Sequence, residues 1–163
     1  MIVACDLNGI IGNNNKIPWH IPDDLKHFKN LTENNIIVMG RKTFDSLPIK
    51  PLKNRINIVL SNTMKHDDDN SIIVTNKENI YVVLENIKNQ YPEKKIFIIG
   101  GNEIYNLFFN ECTKIYLTLV SSIFPGDTKL ECFQEIIKCN LINGPELCRH
   151  KDLSYYFLDF SKE

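Results

Sequence analysis

The sequence predicts an α/β fold: a single domain over residues 1–163, with a predominantly parallel central sheet, helices on both faces and an antiparallel C-terminal edge. Three observations predict it. Apolar runs rich in β-branched residues alternate with helical patterns through the first two-thirds of the chain. After Lys114 the pattern changes to strand-like segments. No repeat, low-complexity block or linker divides the 163 residues, of which 43% are hydrophobic, enough for one sizeable core.

Taken in order, strands are expected at residues 2–7, 36–39, 56–60, 72–74 and 96–99, each a short apolar run of the kind a buried strand requires. Helices are expected near 22–31, 43–47, 79–90 and 102–109. Pro22 suits the first turn of the first helix, where its missing N–H is not needed, and Asp23 and Asp24 suit the positive end of its dipole. Thr43 is the expected N-cap of the second helix. Strands follow at 115–121 and 155–160, with a less readable segment at 129–153 between them. The charge run at 65–69 reads as a solvated loop.

Composition excludes several classes. The longest apolar runs last five residues, against the roughly 20 that a membrane-spanning helix needs. Met1 leads directly into a strand pattern, with no basic n-region or cleavage site, so a cytoplasmic protein without a signal peptide is expected. A net charge of −1 gives no general attraction to nucleic acid or to anionic membranes. The five cysteines are scattered without a C-x-x-C pair, so free thiols, mostly filling the core, are expected, with no disulfide framework and no metal site. Arginine occurs only three times and alanine once. In such a chain Arg41, Arg55 and Ala4 carry information.

Ligands of open α/β sheets bind at the carboxyl ends of the strands. Three strand ends have binding character: Gly40-Arg41-Lys42-Thr43, Ser61-Asn62-Thr63 and Gly100-Gly101-Asn102-Glu103. Glycine followed by a helix N-terminus makes an anion site, and Arg41 and Lys42 add countercharge. Two such turns suit a dinucleotide, although neither fits the P-loop or Rossmann fingerprint. On the first helix Asp24, Phe28 and Leu31 are spaced i, i+4, i+7, which puts one carboxylate on an apolar face, while Asp23 turns toward water with Lys26 and Asn30. A carboxylate so placed needs a partner, and desolvation competes with the helix dipole for its pKa.

These segments together resemble dihydrofolate reductase, in order from residue 1 to about 128. The resemblance runs through Gly9-Ile10-Ile11-Gly12, the Pro-Trp-x-x-Pro-x-Asp-Leu pattern at 18–25, Met39-Gly40-Arg41-Lys42-Thr43, residues 52–61 and Ile98-Ile99-Gly100-Gly101 with Glu103-Ile104-Tyr105. It continues through Ile115-Tyr116-Leu117-Thr118 and Gly126-Asp127-Thr128, and residues 154–160 resemble the family's last strand. The resemblance implies an enzyme that reduces dihydrofolate with NADPH; a monomer is expected.

It also implies roles. Asp24 matches the carboxylate that accepts two hydrogen bonds from the pterin, Thr118 its hydroxyl neighbour, and Trp19 the residue that helps hold a water beside the ring. Ile2, Ala4, Leu25, Phe28, Leu47, Leu52, Ile99 and Tyr105 match substrate-lining positions, and Arg55 the arginine that grips the glutamate tail. Ala4, Ile11, Gly12, Ile17, Gly40, Arg41, Lys42, Thr43, Leu60, Ser61, Asn62, Ile99, Gly100, Gly101, Asn102, Glu103, Ile104 and Tyr105 match cofactor-binding positions. Residues 12–17 match the family's mobile loop, and the Gly100–Gly101 bond its cis peptide. Asn102 departs from the family, which commonly has a small residue there. Two rivals stay open: another pterin or pyrimidine reductase on the same fold, which has no use for Arg55, and a non-catalytic nucleotide-binding module, which has none for a buried Asp24.

Overall fold

The computed structural model describes residues 1–65 and 72–163. All but the first residue of the 65–69 charge run therefore lies outside the described residues. In chain order the elements are β1 (Ile2–Asp6), β2 (Ile10–Gly12), α1 (Pro22–Thr32), β3 (Ile36–Gly40), α2 (Arg41–Ser46), β4 (Ile56–Leu60) and β5 (Ile72–Thr75). They continue with α3 (Ile80–Gln90), β6 (Ile96–Gly100), α4 (Asn102–Phe108), β7 (Lys114–Val120), β8 (Thr128–Lys129), α5 (Phe133–Ile136), β9 (Asn140–His150) and β10 (Leu153–Ser161).

Two four-stranded sheets form, ordered β5-β4-β3-β6 and β1-β7-β10-β9, and they meet where β6 lies beside β1. The pairs β3·β4, β3·β6, β4·β5 and β1·β7 are parallel. β10 pairs antiparallel with both β7 and β9, which is the expected C-terminal edge.

The alternation of side chains along each strand sorts the core into two faces. Val3, Cys5, Ile36, Val38, Ile58, Leu60, Ile98 and Leu117 pack with Ile80 and Ile87 of α3 and Ile104 and Phe108 of α4. Ile2, Ile37, Met39, Val59, Phe97 and Ile99 pack with Phe28 and Leu31 of α1 and Phe44 of α2. Helices therefore cover both faces, and this explains why the strands read as continuous apolar runs.

Two expectations need correction. Helix α2 begins at Arg41, not at Thr43, because β3 runs to Gly40, which is still extended and enters the helix directly; no side chain caps it. Of the cysteines, only Cys5 and Cys132 are buried. Cys112, Cys139 and Cys148 sit half-buried at the core's margins, and all five are unbonded.

Asp6, at the carboxyl end of β1, is fully buried and holds three loop amides. Its Oδ1 accepts from the N–H groups of Asn8 and Ile10 at 2.9 and 2.8 Å, and its Oδ2 from that of Phe124 at 2.8 Å. One carboxylate thus fixes both the start of β2 and the turn that leads to β8. Replacing it with Ala strands three backbone donors, so Asp6→Ala is expected to lower the free energy of unfolding by about 3 kcal/mol. Urea denaturation checks this, and a loss under about 1 kcal/mol would mean the loops find water instead.

Candidate active site

The parallel strands β3, β4, β5 and β6 end along one side of a cavity of about 1020 Å³, which Ile2 to Ala4 of β1, α1 and the 12–17 loop complete. At one end stands Asp24, in the first turn of α1. Its Oδ1 accepts a 2.6 Å hydrogen bond from the Thr118 hydroxyl on β7. The strand register puts Ala4 of β1 and Phe157 of β10 on either side of Thr118. Burial pushes the Asp24 carboxyl above the usual carboxylate range, against the opposing effects of the Thr118 hydrogen bond and of nearby His27.

Trp19 is buried against Ile21, Val120 and Tyr155, with its ring 5.2 Å from that of Phe124. Its indole N–H is buried without a protein partner among the described residues, and the residue lines the cavity. Such a donor needs an acceptor from within the cavity. Asp23 is exposed as expected, but it is not left to water alone: the Tyr155 hydroxyl of β10 donates to its Oδ2 at 3.3 Å.

At the other end, β3 and β6 pass directly into α2 and α4. Gly40 permits close packing, since a Cβ there would lie 3.2 Å from Cγ1 of Ile104. Gly100 has φ +114°, and a Cβ on it would meet the Tyr105 hydroxyl at 3.0 Å. That hydroxyl donates to the Ile2 carbonyl at 2.9 Å, locking α4 to β1. The Gly100–Gly101 peptide is cis. Arg41 is held by Asp45 one helical turn on, at 3.0 Å, whereas Lys42 makes no ion pair among the described residues. Oγ of Ser61 accepts from the amides of Thr63 and Met64.

Nearly all the expected site residues line this one cavity: Ile2, Ala4, Ile11, Gly12, Ile17, Trp19, Asp24, Leu25, Phe28, Leu47 and Thr118, together with the 40–43, 60–62 and 99–105 segments. Leu52 and Arg55 do not. Leu52 packs against the core beneath α1 and α2. Arg55 lies over the outer ring of Phe28, 5.9 Å from its centroid; its Nε donates to the Thr32 hydroxyl and its Nη1 to the Lys53 carbonyl.

Among the lining residues absent from the expected site are Asn76, Lys77, Asp127 and Thr128. Asn76 and Lys77 follow β5, so applying the strand-end rule to a fourth strand finds them. Asp127 reaches across to the 12–17 loop, where its Oδ2 accepts from the Asn14 amide at 2.8 Å and its own N–H donates to the Gly12 carbonyl.

A long cavity with two glycine-led helix starts and the cations Arg41, Lys42 and Lys77 at one end, and a lone apolar-wall carboxylate at the other, fits a phosphorylated dinucleotide beside a ring that bears N–H donors. The comparisons agree. Residues 1–155 match the family model described as dihydrofolate reductase. A dihydrofolate reductase of Ureaplasma parvum is 39% identical over 121 residues, covering 74% of each chain. One from Staphylococcus aureus is 38% identical over 128 residues, 78% of this chain and 74% of the relative. The type 9 dihydrofolate reductase of Escherichia coli is 41% identical over 133 residues, 80% of this chain and 75% of the relative.

The raised pKa of Asp24 has a consequence for stability. At neutral pH the folded state carries a charge that burial disfavours, and this cost is relieved as pH falls through the raised value, until both states are protonated below the ordinary carboxylate range. Asp24→Asn is therefore expected to unfold at higher denaturant than the parent at neutral pH, with the gap closing as the solution is acidified. A gap independent of pH would show that the carboxylate is not the source.

Proposed function

Because the chain belongs to the dihydrofolate reductase family and reduces dihydrofolate to tetrahydrofolate with NADPH, we propose that Asp24, Thr118 and Trp19 form its catalytic end and the two glycine turns its cofactor end. The observation that carries this division is the Asp24–Thr118 pair, a half-buried carboxylate facing the same cavity as Gly40 and Gly100.

NADPH supplies the hydride when bound. The chain's part is to position, neutralise and exclude water. The Thr118 hydroxyl fixes one oxygen of Asp24 and so sets the plane of the carboxyl, which accepts from the paired N–H groups of the pterin edge. Its negative charge, in a partly water-excluded wall, favours protonation of the ring nitrogen next to the carbon that receives hydride. Trp19 offers its unpartnered N–H to a water that delivers the proton. Ile2, Ala4, Leu25, Phe28, Leu47, Ile99 and Tyr105 wall the substrate, while Ile11, Gly12 and Ile17 bound the nicotinamide side.

At the cofactor end the residues present fit the group. The first-turn amides of α2 and α4 carry no side-chain caps, and Thr43 stands beside them: its Oγ1 lies 3.4 Å from where a Cβ on Gly101 would be. Lys42, Lys77, Ser61 and Asn62 would hold the 2′-phosphate, with Arg41 sharing its guanidinium between that group and Asp45. Leu60, Asn102, Glu103 and Ile104 complete this wall.

Leu52 and Arg55 form the outer rim for the substrate's tail, one side chain beyond Phe28. The anchoring of Arg55 by Thr32 and Lys53 leaves its fork pre-aimed, a function a lysine lacks. A monomer is part of this reading, and five unbonded thiols suit the reducing cytosol. No helix among the described residues is long and apolar enough to cross a membrane.

Following NADPH oxidation on addition of dihydrofolate tests the assignment. Asp24→Asn is expected to fold and to bind NADPH, and to lose neutral-pH turnover by roughly 10²-fold or more, with partial recovery in acid, where substrate arrives protonated. Normal turnover at neutral pH would refute the role. Arg55→Lys is expected to weaken dihydrofolate by about tenfold, with little change for a pterin that has no acidic tail. Equal losses for both would make Arg55 a purely structural residue.

A further inference from the structure

Asn102, the residue that departs from the family pattern after the two glycines, is engaged in a contact the assigned chemistry does not explain. Its Nδ2 donates to Oε1 of Glu131 at 2.7 Å, and its Oδ1 accepts from the Glu131 amide at 3.0 Å. Asn106, one turn further along α4, donates to the other carboxylate oxygen at 2.6 Å. Glu131 thus bridges two amides spaced i, i+4 on one face of α4, which begins at Asn102.

The segment that carries Glu131 is itself fixed. The Leu130 amide donates to the Gly9 carbonyl at 2.8 Å, and Leu130 is fully buried. β8 pairs with β2 through Ile10 and Gly12, and Asp127 holds Gly12 and Asn14. Gly126 sits so close to Ile10 that a Cβ on it would come within 2.2 Å of the isoleucine's Cγ2. Two walls of the cavity, the turn at 100–102 and the strip at 127–128, meet at the Glu131 carboxylate.

We propose that Glu131 is a positioning residue for the cofactor: through Asn102 and Asn106 it fixes the start of α4, and with it the Gly100–Gly101 turn, against the strip that carries the 12–17 loop. The inference rests on the assignment of that turn to the dinucleotide's phosphates. α4 is short, seven residues, and no side chain caps its N-terminus. Its orientation therefore depends on contacts made from outside the helix. Glu131 supplies one at the surface, and the Ile2 carbonyl, accepting from the Tyr105 hydroxyl, supplies one in the core. Glu131 and Asn106 do not line the cavity, so the effect of removing them falls on cofactor affinity through α4 and leaves the reacting end alone.

Isothermal titration of the full chain with NADPH tests this, using Glu131→Ala, Glu131→Gln, Asn106→Ala, the Glu131→Ala/Asn106→Ala double variant and Lys42→Glu. Glu131→Ala is expected to raise the Kd for NADPH about three- to tenfold, with Asn106→Ala and Glu131→Gln in between. The double variant should be no weaker than Glu131→Ala alone, since both changes remove one clamp. At saturating NADPH, kcat and the KM for dihydrofolate should stay within about twofold of the parent, a split that general loosening of the fold would not produce. Parental NADPH affinity in Glu131→Ala, additive losses in the double variant, or an equal rise in the KM for dihydrofolate would each overturn the proposal. Lys42→Glu separates the two readings. If it weakens NADPH and Glu131→Ala does not, the clamp alone is wrong; if neither weakens NADPH, the phosphate assignment falls and the clamp with it.

Discussion

A carboxylate set against hydrocarbon is the constraint around which this molecule is organised. Asp24 is driven by the helix pattern onto the face that carries Phe28 and Leu31, where ionisation is costly without a partner. Its partner, Thr118, comes from a strand 94 residues away. That bond ties α1 to β7, and on β1, the strand paired with β7, the small Ala4 stands opposite Thr118 and lines the same cavity. Helix α1 is fastened to the antiparallel half of the fold by the same few residues, since Tyr155 reaches Asp23 and Phe157 stacks on His27 with ring centroids 4.2 Å apart.

The other half supplies a different kind of order. Where β3 and β6 lie parallel and in near register, their ends bring Gly40 and Gly100 side by side and start two helices from one edge. The two helix starts proposed to face phosphate therefore lie on one edge of the parallel sheet β5-β4-β3-β6, while the proposed reacting end draws on α1 and on β7 of the other sheet. Asp6, under β2 and the approach to β8, ties the loops that border both ends.

Much of this was legible in the residues. The strands β1, β3, β4, β5 and β6 are buried on both faces and so announce themselves as β-branched runs, and the Pro22-Asp23-Asp24 start marks α1 without ambiguity. β9 was not legible, and for a physical reason: as an edge strand it is exposed along most of its length, so no apolar alternation is required of it, and Asn143-Gly144-Pro145 in its middle reads as a turn. Thr118 could not be singled out from β7 by pattern, because a buried threonine in a strand looks like any other β-branched residue; only the family resemblance pointed to it. Nor did spacing reveal that Arg55 is anchored by Thr32, or that Asn102 and Glu131 would meet, because such pairs are made by the tertiary fold between residues far apart in the chain.

The placement of Trp19 has a practical consequence. It is the chain's one tryptophan, and it stands in the wall of the cavity with its ring against Phe124. All indole emission from this protein therefore originates in the wall of the cavity, and none from a bystander elsewhere in the core. The intrinsic fluorescence of the unlabelled chain is a local optical probe, one that reports on what enters the cavity and on the loops around it before it reports on global unfolding.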